Sequence, residues 1–125
     1  MKPSDLELQI LALLWARGPS TGREVLENMP DGKERAYTSI LSILQLMDKK
    51  GLVKRRREGL TDRWRPAHAR KTILGQYLTD QVRKLFGGSP SAALQELLGS
   101  TKVTEAELNE IERVIQEHRA KNKSS

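Results

Sequence analysis

The chain has 125 residues, 37% of them hydrophobic and 30% charged, with a formal net charge of +6 and no cysteine. That length allows one domain, or one small domain with an appendage. The lack of cysteine excludes disulfides, thiolate metal sites and cysteine nucleophiles, and it suits a reducing compartment such as the cytoplasm.

The longest apolar run, Ile10 to Ala16, is seven residues. It is too short to cross a bilayer, and the acidic Asp5 and Glu7 ahead of it do not suit a signal peptide. The apolar fraction is low for an isolated globule, so part of the core is expected to come from a partner chain.

Ser4-Asp5-Leu6-Glu7 reads as a capping box, Ser4 at the N-cap and Glu7 at the third helical position. It predicts a first helix running to about Ala16, with Leu6, Ile10, Leu13 and Leu14 as its buried stripe and Trp15 at its edge. Gly18-Pro19 ends it. Thr21 and Glu24 form a second capping box that opens a second helix, with Val25, Leu26 and Met29 turned inward. The start of this helix offers backbone N–H groups to a phosphate, which makes Thr21 a candidate contact. Met29-Pro30-Asp31-Gly32 breaks the chain again.

Lys33 to Gly51 reads as one helix, with Ile40, Ile43, Leu44 and Met47 on one apolar face. Gly51 can take the left-handed conformation that ends a helix, and Lys49 and Lys50 suit its negative end. Thr38, Ser39, Ser42 and Gln45 lie on the opposite face, where a solvated helix normally carries Glu and Lys. Short hydroxyl and amide side chains let a backbone approach another surface closely and still hydrogen-bond to it, which suits a helix in a DNA major groove. The alternative is an ordinary amphipathic helix with a Ser/Thr-rich exposed face.

Leu52–Glu58 and Arg63–Pro66 read as two strands, with Gly59-Leu60-Thr61-Asp62 as the turn between them. A helix followed by a basic hairpin is the winged variant of helix-turn-helix. Between Lys49 and Lys71 stand ten basic and two acidic residues, so the rest of the chain is net negative. Positive charge concentrated beside a candidate reading helix is the footprint of a nucleic-acid binder. The alternative is a solvated hairpin whose charges discourage edge-to-edge pairing.

A longer helix is predicted from about Arg70 to Leu85, with Ile73, Leu74, Tyr77, Leu78, Val82, Leu85 and Phe86 as a wide apolar stripe. Gly87-Gly88 stops it. Ser89 then caps a short helix with Pro90 at its first position, Leu94, Leu97 and Leu98 inward, and its end at Gly99. Thr104-Glu105-Ala106-Glu107 caps a last helix striped by Leu108, Ile111, Val114 and Ile115. Lys121 to Ser125 are expected to fray.

The fold class is thus mainly α: a winged helix-turn-helix domain over residues 1–70, then a small helical domain over 71–125. The second segment is too sparse to make its own core. It reads as a dimerisation module completed by a second copy through Leu74, Leu78, Val82, Leu94, Leu97, Leu108, Ile111 and Ile115. The alternative is that it folds back on the first domain.

His68 and His118 have no second ligand at helical spacing on a shared apolar face, so they read as lone surface histidines, Glu110 offering His118 at most an adventitious site. There is no Gly-rich phosphate loop, nucleophile elbow or pair of catalytic carboxylates. The sequence calls for no enzyme activity, no cofactor and no metal.

Four segments together resemble the penicillinase-repressor family, the BlaI/MecI-like repressors. They are Glu7 to Trp15, Thr21 to Val25, Ala36 to Leu44, and Lys49 to Val53, followed in order by Trp64-Arg65-Pro66 and the helical tail. The resemblance covers nearly the whole chain and is most specific in its first half. It implies a cytoplasmic homodimeric winged-helix repressor of a dyad-symmetric double-stranded operator. Carried over by position, Thr38, Ser39, Leu41 and Ser42 would face the bases, with Leu41 on a thymine methyl, and Tyr37 and Gln45 would flank them. Arg55, Arg56, Arg57 and Arg63 would give backbone contacts from the wing. Leu46 stands where relatives often carry arginine.

The best-known members are inactivated when a membrane sensor protease triggers cleavage at an Asn-Phe bond. That position is Glu96-Leu97 here, and the motif is absent. A copper-responsive branch uses C-terminal cysteines, which this chain lacks. An upstream sensor or protease would therefore have to act by another route. The competing functions are a winged-helix protein-interaction module that does not touch DNA, and a ligand-sensing regulator not controlled by proteolysis.

Overall fold

The computed structural model describes residues 2–124. The first helix, α1 (Asp5–Arg17), begins with the expected capping box. Glu7 N–H donates to Ser4 Oγ (3.2 Å) and Ser4 N–H donates to Glu7 Oε1 (2.8 Å). Ile10, Leu13 and Leu14 are buried as expected, and so are Leu8 and Leu11, because both flanks of the helix are covered. Trp15 sits at the edge, its indole N–H donating to the carbonyl of His68 (3.0 Å).

A two-residue strand, β1 (Ser20–Thr21), runs directly into α2 (Gly22–Glu27). Here too both halves of the capping box form, between Thr21 and Glu24. Val25 and Met29 are buried, and Leu26 packs against the core from outside.

The third helix, α3 (Tyr37–Lys49), is shorter than the stretch from Lys33 to Gly51 suggests. The difference lies at its start. The Asp31 carboxylate accepts from the Lys33 backbone N–H (3.1 Å) and from both terminal nitrogens of Arg35 (2.9 and 2.6 Å). This turn holds residues 31–35 out of helical geometry, and helix begins only after Ala36. Its end follows expectation. Gly51 has φ +78, Leu52 N–H donates to Met47 C=O (2.9 Å) and Gly51 N–H to Asp48 C=O (3.0 Å). That is a Schellman closure, which a residue with a Cβ adopts only under strain.

The hairpin follows as β2 (Val53–Glu58) and β3 (Thr61–Pro66). Glu58 pairs with Thr61, so the turn is Gly59-Leu60 alone, and Thr61 and Asp62 belong to β3 rather than to the turn. β1 adds to the other edge of β3, Ser20 opposite Trp64 and Thr21 opposite Arg63, giving an antiparallel sheet of order β1-β3-β2. Trp64 on the central strand is fully buried. With Ile10, Leu11, Leu14, Val25, Ile40, Leu44, Met47 and Val53 it makes the core on which α3 is seated. Burying Ile40, Leu44 and Met47 contributes roughly 1.5–3 kcal/mol each, enough to fix which face of α3 points outward.

The predicted helix from Arg70 to Leu85 forms in two parts: a π-helical turn, Lys71–Gly75, and α4 (Gln76–Leu85). Ile73 in the π-helical turn packs against the winged core. α5 (Pro90–Ser100) starts as expected, with the Ala92 N–H donating to Ser89 Oγ (3.1 Å). α6 (Glu105–Ser124) starts with the Glu107 N–H donating to Thr104 Oγ1 (3.1 Å). Lys121 to Ser124, expected to fray, continue α6 as helix, the Ser124 hydroxyl donating to the Ala120 carbonyl (3.1 Å); Ser125 lies outside the described residues.

The chain forms two compact units, one ending at Asp80 and the other beginning at Gln81. Trp64 is the last buried residue; among the described residues none after it is buried. The described residues from 71 onward thus have apolar stripes but no buried side chain within one chain.

Candidate nucleic-acid interface

With Ile40, Leu44 and Met47 anchored inward, helical geometry turns Thr38, Ser39, Ser42, Gln45, Leu46 and Lys49 outward, and all six are exposed. The structure thus brings four of the sequence-derived reading residues onto one face. Leu41 stands at the margin of that face. Leu41 is partly buried and packs against the core, so the surface apolar group on this face is Leu46, 49% exposed. Leu46 shares an open groove with Ser42, Gln45, Asp48, Lys49 and Arg55, between the end of α3 and the hairpin.

Tyr37 lies at the start of α3 beneath Arg23, whose guanidinium is 4.7 Å from the ring centroid. The Thr21 hydroxyl is engaged as the α2 cap, accepting from the Glu24 N–H (3.1 Å), and the Thr21 N–H donates to Glu24 Oε1 (2.9 Å). Those hydrogen bonds, first that from the Thr21 backbone, hold the Glu24 carboxyl below its usual range, with Arg63 and Arg17 adding to the effect. Two of the N–H groups at the start of α2 are therefore committed within the protein.

The hairpin sorts its cations by strand alternation. Arg55 and Arg57 point to the face that carries Val53 and Trp64. Arg55 lies over the Trp64 ring (5.9 Å), 3.7 Å from Asp62 and 3.9 Å from Asp48 of α3. Arg57 is 3.4 Å from Asp62. On the outer face Lys54 stands opposite Arg65, and Arg56 opposite Arg63. Arg63 is clamped: it pairs with Glu58, reaches Glu24 at 3.3 Å and donates to the Pro19 carbonyl at 3.4 Å.

Of the four arginines assigned to the wing, three are thus already paired with carboxylates. Lys54, Arg56 and Arg65 have no carboxylate partner among the described residues. Lys54 and Arg65 were counted in the basic stretch but not singled out, although their alternation with Val53 and Trp64 was a signal for the outer face. Like charges directly opposite one another repel, and an anion laid across them removes that cost.

Behind this face Lys50, the last residue before Gly51, turns back. Its ammonium meets the buried Glu7 carboxylate at 2.9 and 3.0 Å and ties the end of α3 to the start of α1.

A solution structure described as the homodimeric winged helix-turn-helix DNA-binding domain of Mb0332 from Mycobacterium bovis is 31% identical, with a TM-score of 0.47, covering 59% of this chain and 67% of that one. The transcriptional regulator BlaI of Mycobacterium tuberculosis is 31% identical over 105 residues, 82% of this chain and 76% of that protein. The penicillinase repressor of Bacillus licheniformis is 19% identical over 120 residues, 96% and 94% of the two chains. These relatives are transcriptional regulators and not enzymes. The family model for the penicillinase repressor matches residues 3–117. The chain belongs to the penicillinase repressor family of transcriptional regulators.

Proposed function

We propose that the protein is a homodimeric repressor that binds a dyad-symmetric double-stranded DNA operator, with α3 in the major groove and the wing on the flanking backbone. The carrying observation is the pairing of two surfaces: an exposed α3 face of Thr38, Ser39, Ser42 and Gln45, and the adjoining uncompensated cations Lys54, Arg56 and Arg65. The first can read base edges and the second can hold phosphates. A winged-helix module that bound only protein would have no use for either.

The homodimer is supported by the lack of any buried residue after Trp64 among the described residues. Leu78, Leu85, Leu97, Val114 and Ile115 are exposed, while Leu74, Val82, Leu94, Leu108 and Ile111 are only partly covered. A second copy completes such stripes and places two reading helices on successive half-sites. On this reading the functional division stays at residues 1–70 and 71–125, and the protein acts in the cytoplasm.

Induction takes a route other than Asn-Phe cleavage. Glu96 and Leu97, at the position of that bond, lie inside α5, whose backbone must unwind before any protease can cut it. Selecting duplexes from a random library with the full chain tests the proposal. A dyad-symmetric consensus bound by two chains, and retained against competitor DNA, is expected. Salt-sensitive binding without any sequence preference would refute it.

A further inference from the structure

Before α4, the exposed large apolar side chains among the described residues are Leu46 and Leu60. Leu60 is 93% exposed, at the apex of the hairpin. Because Glu58 pairs directly with Thr61, Gly59 and Leu60 are the whole turn. Gly59 has φ +62 and no side chain, so the tip is a single apolar side chain wide. Two-residue hairpin turns favour Asn, Asp, Ser or Gly; leucine there adds nothing to the turn and buries nothing in the chain.

The surroundings suit a polyanion. The two hairpin carboxylates are both turned to arginines, Glu58 to Arg63 and Asp62 to Arg55 and Arg57. No unpaired carboxylate stands beside the tip to repel a phosphate, while Arg56 follows it on the outer face. Trp64, opposite Arg55, is the outermost core residue of the hairpin, so the tip stands four residues, about 13 Å, beyond the core, clear of the residues that seat α3.

We infer that Leu60 is a minor-groove wedge. It enters the minor groove flanking the half-site and partly unstacks a flexible pyrimidine–purine step, bending the duplex. This inference rests on the DNA-binding reading above and adds what the wing does to the DNA.

The test uses the full chain and a duplex selected from a random library, with 2-aminopurine replacing adenine at each flanking pyrimidine–purine step in turn. Bound wild-type protein is expected to raise fluorescence several-fold at one step and to bend the duplex, as read by end-to-end energy transfer. Leu60→Ala and Leu60→Ser should lose both signals while affinity falls by less than about tenfold, because the lost wedge contact is offset by the unstacking no longer required. Leu60→Met should keep both. If wild type binds its selected duplex with neither signal, or if Leu60→Ser gives the same signals, the wedge is wrong and the DNA-binding reading stands. If no duplex is selected at all, that reading falls and the wedge with it.

Discussion

The Glu7–Lys50 pair should behave asymmetrically when either partner is removed. The Glu7 side chain is 4% exposed and that of Lys50 34%. Glu7→Gln keeps an acceptor for the Ser4 N–H, since a capping box accepts Gln, and it leaves an ammonium that can turn into water. A cost of about 1 kcal/mol is expected. Lys50→Met leaves a buried carboxylate without its cation. Stranding one charge of a fully buried pair costs ~3–5 kcal/mol, and access of water from the Lys50 side lowers that to about 2 kcal/mol.

The pH dependence carries a sign. Burial pushes the Glu7 carboxyl up, but the Ser4 backbone hydrogen bond and the Lys50 ammonium outweigh it and hold the carboxyl below its ordinary value. The pair therefore stabilises the wild type fully above the unfolded value of about 4.3, and this is lost as pH falls through the folded value. In Lys50→Met the folded carboxyl rises, so the penalty is largest near neutrality and shrinks below about pH 4. Urea unfolding followed by Trp15 and Trp64, the only tryptophans and both in the winged unit, measures this. A Glu7→Gln cost equal to that of Lys50→Met, or a Lys50→Met penalty unchanged between neutral and acid pH, would refute the reasoning.

Three further outcomes are expected. Lys54→Ala, Arg56→Ala and Arg65→Ala should each weaken binding to all sequences and lower the salt slope by about one phosphate, whereas Arg63→Ala should mainly loosen the wing; filter binding from low to high salt separates them. Ser39→Ala and Ser42→Ala should relax preference among operator variants by about 1–3 kcal/mol, while Leu41→Ala should lower the unfolding free energy by about 1–2 kcal/mol with preference unchanged; the opposite pattern in competition and melting assays would return Leu41 to the bases. Leu97, 59% exposed in the single chain, should be covered in the dimer; Leu97→Asp should then shift sedimentation from dimer to monomer at micromolar concentration, and an unchanged dimer would place the interface elsewhere.

The elements legible in the sequence are those fixed by local chemistry. Ser4 with Glu7, Thr21 with Glu24, Ser89 with Pro90 and Thr104 each mark a helix start by hydrogen bonds within a few residues. What could not be read depends on distant partners. β1 is two residues long and exists because Trp64 and Arg63 lie opposite it. The late start of α3 depends on Asp31 gripping Arg35, which a periodicity argument treats as two more polar positions. Leu8 and Leu11 fall outside a single stripe, and their burial follows from cover on both flanks of α1.

The same division runs through the site. The face of α3 was legible, because three apolar anchors fix the rotation of a helix. The partial burial of Leu41 was not, because a residue at the margin of that face is settled by neighbouring side chains. The charge of the wing was legible as a total but not as a field. Ten basic residues between Lys49 and Lys71 overstate what a phosphate would meet, since Glu24, Asp48, Glu58 and Asp62 draw in Arg55, Arg57 and Arg63, and Glu7 draws in Lys50. Only the strand register shows which cations of the hairpin are left, Lys54, Arg56 and Arg65, and they lie on one face. On the proposed DNA-binding reading, the outer face of the sheet, rather than the arginine run as such, would be the source of salt-dependent affinity. On that reading the run Arg55-Arg56-Arg57 divides its work: its middle member is left for a phosphate, while Arg55 pairs with Asp48 of α3 and with Asp62, and Arg57 with Asp62.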